Sequence, residues 1–590
     1  MRGSLAAGVA AAALCLGAAP GLAQTGSGPS SSAMANLIRL LVKQKVITQA
    51  SADALLKEAE QEAAQAKAAN ASVPATPVPI PAERPEVPPP APGVLRVPYV
   101  PLIVRNQIRD EVKAEVLKEA KAENWAQPNA LPGWIRHIDW YGLMRVRSES
   151  DFFGANNIGS DGIDGYVNYN AFNANGPTDV NPTGILNTIP FLNATQNRIN
   201  LLSFSARLGM TANVSDNVQV GVQLASGGDN GPVSTTQAFG AGFTKKPVYL
   251  DLAYIALAPI PDLSITLGRM ADPFFRTDLL FHDTLNMDGV EVSGLTKPLG
   301  APGLGTFSTI GAFPVGYVNY NFPTFSPTKA PDHTEWLLGG QVGEDWANPR
   351  WDWRSAVSMY YYLNDQGELS APCPIYLGTQ QCSTDDSVPP YMEKGNTLFL
   401  LRDIIPCPGA PCAGGGTGPT DYYQPQYAGL LFKYEEFDAT STFDLLLAPQ
   451  EHLIFTADYV RNLAYDGSLA SRYSAYGVYP VTNYDSTNGA LQSGPNAFMG
   501  RLTFGEPDPR ERGEWNISAG YKYLQPDAVL DAFTDYDFHN GGTNAKGYFV
   551  KVTLGLFHNT WVQARWFSAD QVYGPPLAID VLQLDLYTAF

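Results

Sequence analysis

The side chains whose types and spacing could do chemistry in this sequence fall into three groups. Arg501, Lys522, Lys551 and Arg565 sit near the C-terminus at alternate positions of apolar–polar stretches, and Arg145, Arg147 and Arg207 do so upstream. Cations on one face of successive period-2 segments make a wall that attracts or sorts charged solutes, and the acids on those faces are few, Asp139 and Asp585. The second group lies in Gly268–Asp288, where Asp272, Arg276, Asp278, Asp283 and Asp288 alternate with Phe274, Phe275 and Phe281. The third is Cys373, Cys382, Cys407 and Cys412. An even number of cysteines in an exported chain points to two disulfides. Close spacing favours Cys373–Cys382 and Cys407–Cys412, although three pairings are open, and the lack of nearby His disfavours zinc. Nucleophilic or metal catalysis has no support: His137, His282, His333, His452, His539 and His558 are scattered, with no Gly-x-Ser-x-Gly or His-Glu-x-x-His. No cofactor and no metal is expected.

The elements that must carry these residues alternate with period 2. The last, Asp580–Phe590, places Leu582, Leu584, Leu586 and Phe590 on one face and Gln583, Asp585 and Tyr587 on the other. Near 138–147, Ile138, Trp140, Met144 and Val146 face one way, and Asp139, Tyr141, Arg145 and Arg147 the other. Further strands are predicted near 198–212, 218–224, 248–258, 263–270, 287–294, 305–312, 334–343, 352–362, 427–447, 452–461, 497–504, 513–523, 547–556 and 560–568. Their connections are alternately short and long, and the longest runs from 363 to 426. A soluble sandwich has no reason to keep that rhythm over eight hairpins. An all-β transmembrane barrel of about 16 antiparallel strands (roughly 14–18) does, because its turns are short on one side of the membrane and long on the other. Trp140, Trp353, Tyr361, Phe504, Trp515, Tyr523, Tyr548 and Trp566 fall at strand ends, as interfacial girdles require.

Composition agrees. The chain has 590 residues, of which only 16% are charged while 11% are aromatic; soluble proteins carry about 25% charged residues. Mean hydropathy is -0.13, and no run approaches the ~18 apolar residues of a membrane helix. The net charge of -19 argues against nucleic acid as a partner. Residues 1–23 read as a secretory signal cleaved after Ala23, with Cys15 removed in it. Residues 24–72 read as a helical hairpin, 73–101 as a proline-rich spacer, 102–127 as a charged amphipathic helix, and 128–590 as the barrel. In 102–127, Val104, Ile108, Val112, Val116 and Ala120 recur every four residues, which suits a surface helix or a coiled-coil stalk below the membrane.

The final strand resembles the C-terminal strand of bacterial outer-membrane barrels, with Thr588 a departure where that class often has Tyr. The resemblance implies that Phe590 is an assembly signal. The third long loop looks like that of general bacterial porins, which folds into the pore and sets acids opposite a basic ladder. The helical leader, the spacer, Val97-Pro-Tyr-Val-Pro101, Asn129-Ala-Leu-Pro-Gly-Trp134 and the barrel together resemble a proteobacterial "putative porin" family. That resemblance implies an outer-membrane porin, a water-filled channel for small polar or ionic solutes, with residues 24–127 in the periplasm. Its expected partners are outer-membrane lipids, the barrel assembly machinery, small polar solutes, two further copies in a homotrimer, and peptidoglycan. The alternative is a structural or adhesive barrel that tethers the cell wall or binds a surface ligand. An energy-coupled receptor would need about twenty-two strands and a folded plug, which helices and proline cannot make.

Overall fold

The computed structural model describes residues 137–590 apart from 159–164, 181–188, 229–230, 297–302, 325, 332, 378–380, 406–423, 475–480 and 486–488. The signal, hairpin, spacer and amphipathic helix lie outside the described residues, as do Cys407 and Cys412. Sixteen long strands form one sheet: β1 (Ile138–Phe153), β2 (Arg198–Ser215), β3 (Val218–Ser226), β4 (Val248–Ile260), β5 (Leu263–Ala271), β6 (Asn286–Thr296), β7 (Leu304–Gly316) and β8 (Glu335–Asn348), then β9 (Trp351–Leu363), β10 (Glu435–Ala448), β11 (Glu451–Asn462), β12 (Asn496–Gly505), β13 (Trp515–Leu524), β14 (Ala545–Phe557), β15 (Thr560–Gln571) and β16 (Ile579–Ala589). Each pairs antiparallel with its neighbours in sequence, and β1 pairs with β16, so the sheet closes. A two-residue strand, Gln237–Ala238, also pairs with β2. No helix among the described residues is long and apolar enough to cross a membrane.

Closure follows from the lipid environment. Hydrocarbon offers backbone N–H and C=O groups no partner, so a spanning sheet must have no open edge. Outward positions are apolar around the ring: Met144, Leu208, Ile255, Leu267, Ile310, Val342, Val357, Phe455, Leu502, Ile517, Val552 and Leu586 are all exposed. Many inward positions next to the short turns are polar, among them Thr503, Ser518, Thr553 and Gln563. Toward the long loops they turn apolar, as at Met270, Phe313, Leu337, Tyr360, Tyr362, Met499, Phe549 and Phe567. Loop residues bury themselves against these side chains, among them Leu279, Leu280, Phe281, Met392, Leu430, Val529 and Leu530. The principal core therefore sits against the inner wall at the loop end.

The strand expected at 427–447 begins only at Glu435. Ala428–Leu430 instead pairs with Leu398–Leu400 inside the long loop. Its apolar run, Ala428-Gly-Leu-Leu-Phe432, is loop core, buried on all sides, and mimics a strand. In the same loop Cys373 and Cys382 form a disulfide with a Cα–Cα distance of 5.8 Å.

The seam is finished by the last residue. The Gly142 N–H donates to the Phe590 carbonyl (2.8 Å), and the Phe590 N–H donates to the Gly142 carbonyl (3.0 Å). The Phe590 ring lies over Gly142, where a Cβ would come within 2.2 Å of it. Deleting Phe590 removes both bonds and the ring. The expected outcome is a smaller folded, heat-modifiable fraction in outer-membrane preparations; normal insertion of the deletion variant would exclude a role in assembly.

Candidate functional site

Strand alternation and closure place all seven basic residues on the inside of one contiguous arc, β12–β13–β14–β15–β16–β1–β2. Arg501 is on β12, Lys522 on β13, Lys551 on β14, Arg565 on β15, Arg145 and Arg147 on β1, and Arg207 on β2. The arc β6–β11 presents mainly acids, Glu291 and Asp345, then Asp352, Asp438, Asp444 and Asp458, together with Arg354, whose guanidinium lies over Phe275 and Phe307.

Three of the seven cations are ion-paired. Arg147 is 1% exposed. It holds Asp585 on β16 with two hydrogen bonds, 2.8 and 3.1 Å, and Asp537 at 2.8 Å. Lys522 donates to Asp535 (2.5 Å) and pairs with Asp278 (3.1 Å), and Arg565 pairs with Asp537 (2.9 Å). Arg145 and Arg207 donate to hydroxyls, Thr236 Oγ1 (2.5 Å) and Thr235 Oγ1 (3.3 Å). Arg501 and Lys551 form no ion pair among the described residues.

The third long loop (272–285) runs along the inner wall. The Phe275 N–H donates to Gln341 Oε1 on β8, Phe274 packs edge-on against Tyr360 on β9 (5.0 Å), Thr277 donates to Asp458 on β11, and Asp278 reaches Lys522 on β13. Its other charges are spent locally: Arg276 bridges Asp272 (2.7 Å) and Asp283 (2.8 Å). Of the five residues expected in a constriction loop, Asp278 alone pairs with the basic wall. Asp288 is not in the loop but on β6, paired with Arg269 at 3.1 Å.

Sequence reasoning missed the seventh long loop (525–544), which supplies Asp535 and Asp537. Its signal was available: Asp527, Asp531, Asp535 and Asp537 interleave with Val529, Leu530, Phe533 and Phe538, the same mix of acids and apolar residues that marks the third loop. The two loops touch. The His282 N–H donates to the Phe533 carbonyl (2.8 Å), and Thr534 Oγ1 donates to the Leu279 carbonyl (2.9 Å). Burial would raise Asp278 and Asp537, but Lys522 and Arg501 beside the first, and Arg147 and His282 beside the second, hold both carboxyls below the usual range. His282, Asp535 and Asp537 bring potential ligand atoms within 4.8 Å of one another. The Thr284 N–H donates to His282 Nδ1, however, and both carboxylates already serve cations. These ion pairs dock the seventh loop against the wall.

Comparison with known proteins adds the family. Residues 31–590 match the model of the family described as "Putative porin". The chain belongs to that family. This porin's barrel also resembles, at 9% identity, the outer membrane channel DcaP of Acinetobacter baumannii (77% of this chain, 97% of that chain, TM-score 0.34). Pseudomonas putida OprB (9% identity, 82% and 97%, TM-score 0.38) and Vibrio cholerae OmpT lacking loop L8 (9%, 77% and 99%, TM-score 0.33) are comparable. No curated protein matches the chain. Family and barrel together make this a porin-type β-barrel.

Asp537→Asn tests the docking. Breaking a buried ion pair costs about 3–5 kcal/mol, and here the loss falls on the seventh loop. The porin should stay heat-modifiable but be cut faster by protease within 525–544. Because the folded-state pKa of Asp537 is depressed, its stabilisation is full above about pH 4 and fades as the pH falls through the lowered value. Wild type and variant should therefore differ at pH 7 and converge in acid.

Proposed function

We propose that the protein is a porin that passes small polar or ionic solutes through a lumen sorted by a transverse field, with a constriction formed jointly by the third and seventh loops. The observation that carries this reading is the pair of opposed arcs, together with Arg501 and Lys551, which face inward from adjoining β12–β14 without an ion-paired partner among the described residues. A dipolar solute aligns in such a field, while an apolar one gains nothing to offset its loss of water. The apolar core at the loop end supports a narrow outer half; the polar inward face near the short turns supports a wider inner half. With this reading go outer-membrane lipids around the apolar belt, the assembly machinery at the Phe590 strand, and a homotrimer.

The test is conductance of the purified protein in planar bilayers. Discrete steps are expected, and their absence would remove the channel reading. Arg501→Glu with Lys551→Glu should move the zero-current potential under a salt gradient toward cation preference. Unchanged selectivity would show that the basic arc does not face the permeating ions.

A further inference from the structure

Beside the lumen, a cavity of about 350 Å³ lies between the loop ends of β5–β9 and the second, third, fifth and seventh long loops. That is the lower end of the size of small-molecule sites, roughly 300–1,000 Å³. Phe281, Phe313 and Tyr362 make much of its wall, and Glu335, Asp365 and Asp531 bring carboxyls to it. All three acids are more than nine-tenths buried. The Glu335 carboxyl has no hydrogen-bond or ion-pair partner among the described residues, although it lines the cavity. The Tyr362 hydroxyl is likewise buried and unpartnered.

The cations near this cavity are engaged elsewhere. Arg269, on its rim, is paired with Asp288 (3.1 Å). The Lys394 ammonium donates to the carbonyls of His539 (2.7 Å), Asn540 (3.0 Å) and Gly541. Burial accordingly pushes the Asp365 and Asp531 carboxyls up to about 7, against the hydrogen bonds that Asp365 accepts from backbone N–H groups, including that of Tyr434 at 2.8 Å. A carboxylate that is desolvated without a counter-charge costs free energy that a cation placed beside it would return. Apolar rings around such a carboxylate favour an apolar body on that cation.

We infer that this cavity binds a small organic monocation with an apolar body, its ammonium on Glu335 and its hydrocarbon part against Phe281, Phe313 and Tyr362. The site goes beyond the channel reading and does not depend on it: binding is measured on the folded barrel in detergent, conductance separately. The probe is 2-phenylethylammonium, titrated calorimetrically into the full-length protein, with 2-phenylethanol and 3-phenylpropionate as the neutral and anionic counterparts. The ammonium should bind at least tenfold more tightly than either. Glu335→Gln should weaken the ammonium roughly ten- to hundredfold, the worth of a hydrogen bond to a charged group, and leave the alcohol unchanged. Leu337→Trp, which fills the cavity from β8, should weaken both. Heat-modifiable migration shows which variants fold, and Glu335→Gln removes only an unpaired buried charge, so it should fold at least as well as wild type. Equal binding of the three probes, no binding of the ammonium, or an unchanged affinity in folded Glu335→Gln would each overturn the site.

Discussion

One buried guanidinium ties the molecule together. Arg147 leaves water almost completely and recovers the loss only through Asp585 across the seam, Asp537 from the seventh loop, and Glu149 at 3.5 Å on its own strand. A buried arginine that loses a partner is strongly destabilising, so closing β1 on β16 and docking the seventh loop are not independent events. Gln583 strengthens the same node, donating to Asp537 (2.8 Å) and Glu149 (2.7 Å). From there the connections run outward: Phe533 and Thr534 hold the third loop, and Lys522 clamps Asp535 and Asp278 together.

The need for such clamps follows from the width of the barrel. Side chains from a wall of about eight strands can fill their own interior, whereas about sixteen leave a space they cannot reach across. Apolar residues facing inward at the loop end would then stand in water. Folding the loops inward buries Tyr360 and Tyr362 together with Phe281, Leu279 and Leu530, which stabilises wall and loop at once. Toward the short turns inward positions such as Gln563 and Thr553 are polar and bond to each other across neighbouring strands.

This division explains what could be read from the sequence. Alternation with period 2 reports which residues share a face, so the strand positions and the inward placement of Arg501, Lys551 and Arg565 were legible. Chain closure then puts Arg147 opposite Asp585, because both face inward on the terminal strands. Alternation says nothing about what a loop touches. Ala428–Phe432 is apolar without a period and reads as strand, although tertiary burial in the fifth loop accounts for it. Asp535 and Asp537 sit in an unpatterned segment whose significance depends on Lys522 and Arg147, the latter 390 residues distant from Asp537. The disulfide was legible because Cys373 and Cys382 are only nine residues apart.

The same division bears on the lumen's field. Counting inward cations along the strands suggests seven positive charges on one arc, but the loops answer three of them with ion pairs through Asp278, Asp535 and Asp537. Arg501 and Lys551 have no ion-pair partner among the described residues, and Arg145 and Arg207 donate to hydroxyls on the second long loop. The lumen's electrostatics are therefore set by where the loops dock as much as by the strands. A substitution at Asp537 would leave Arg147 to Asp585 and Glu149, and Arg565 to Asp585 at 3.6 Å, and so shift the charge balance over two strands while changing no residue of the wall.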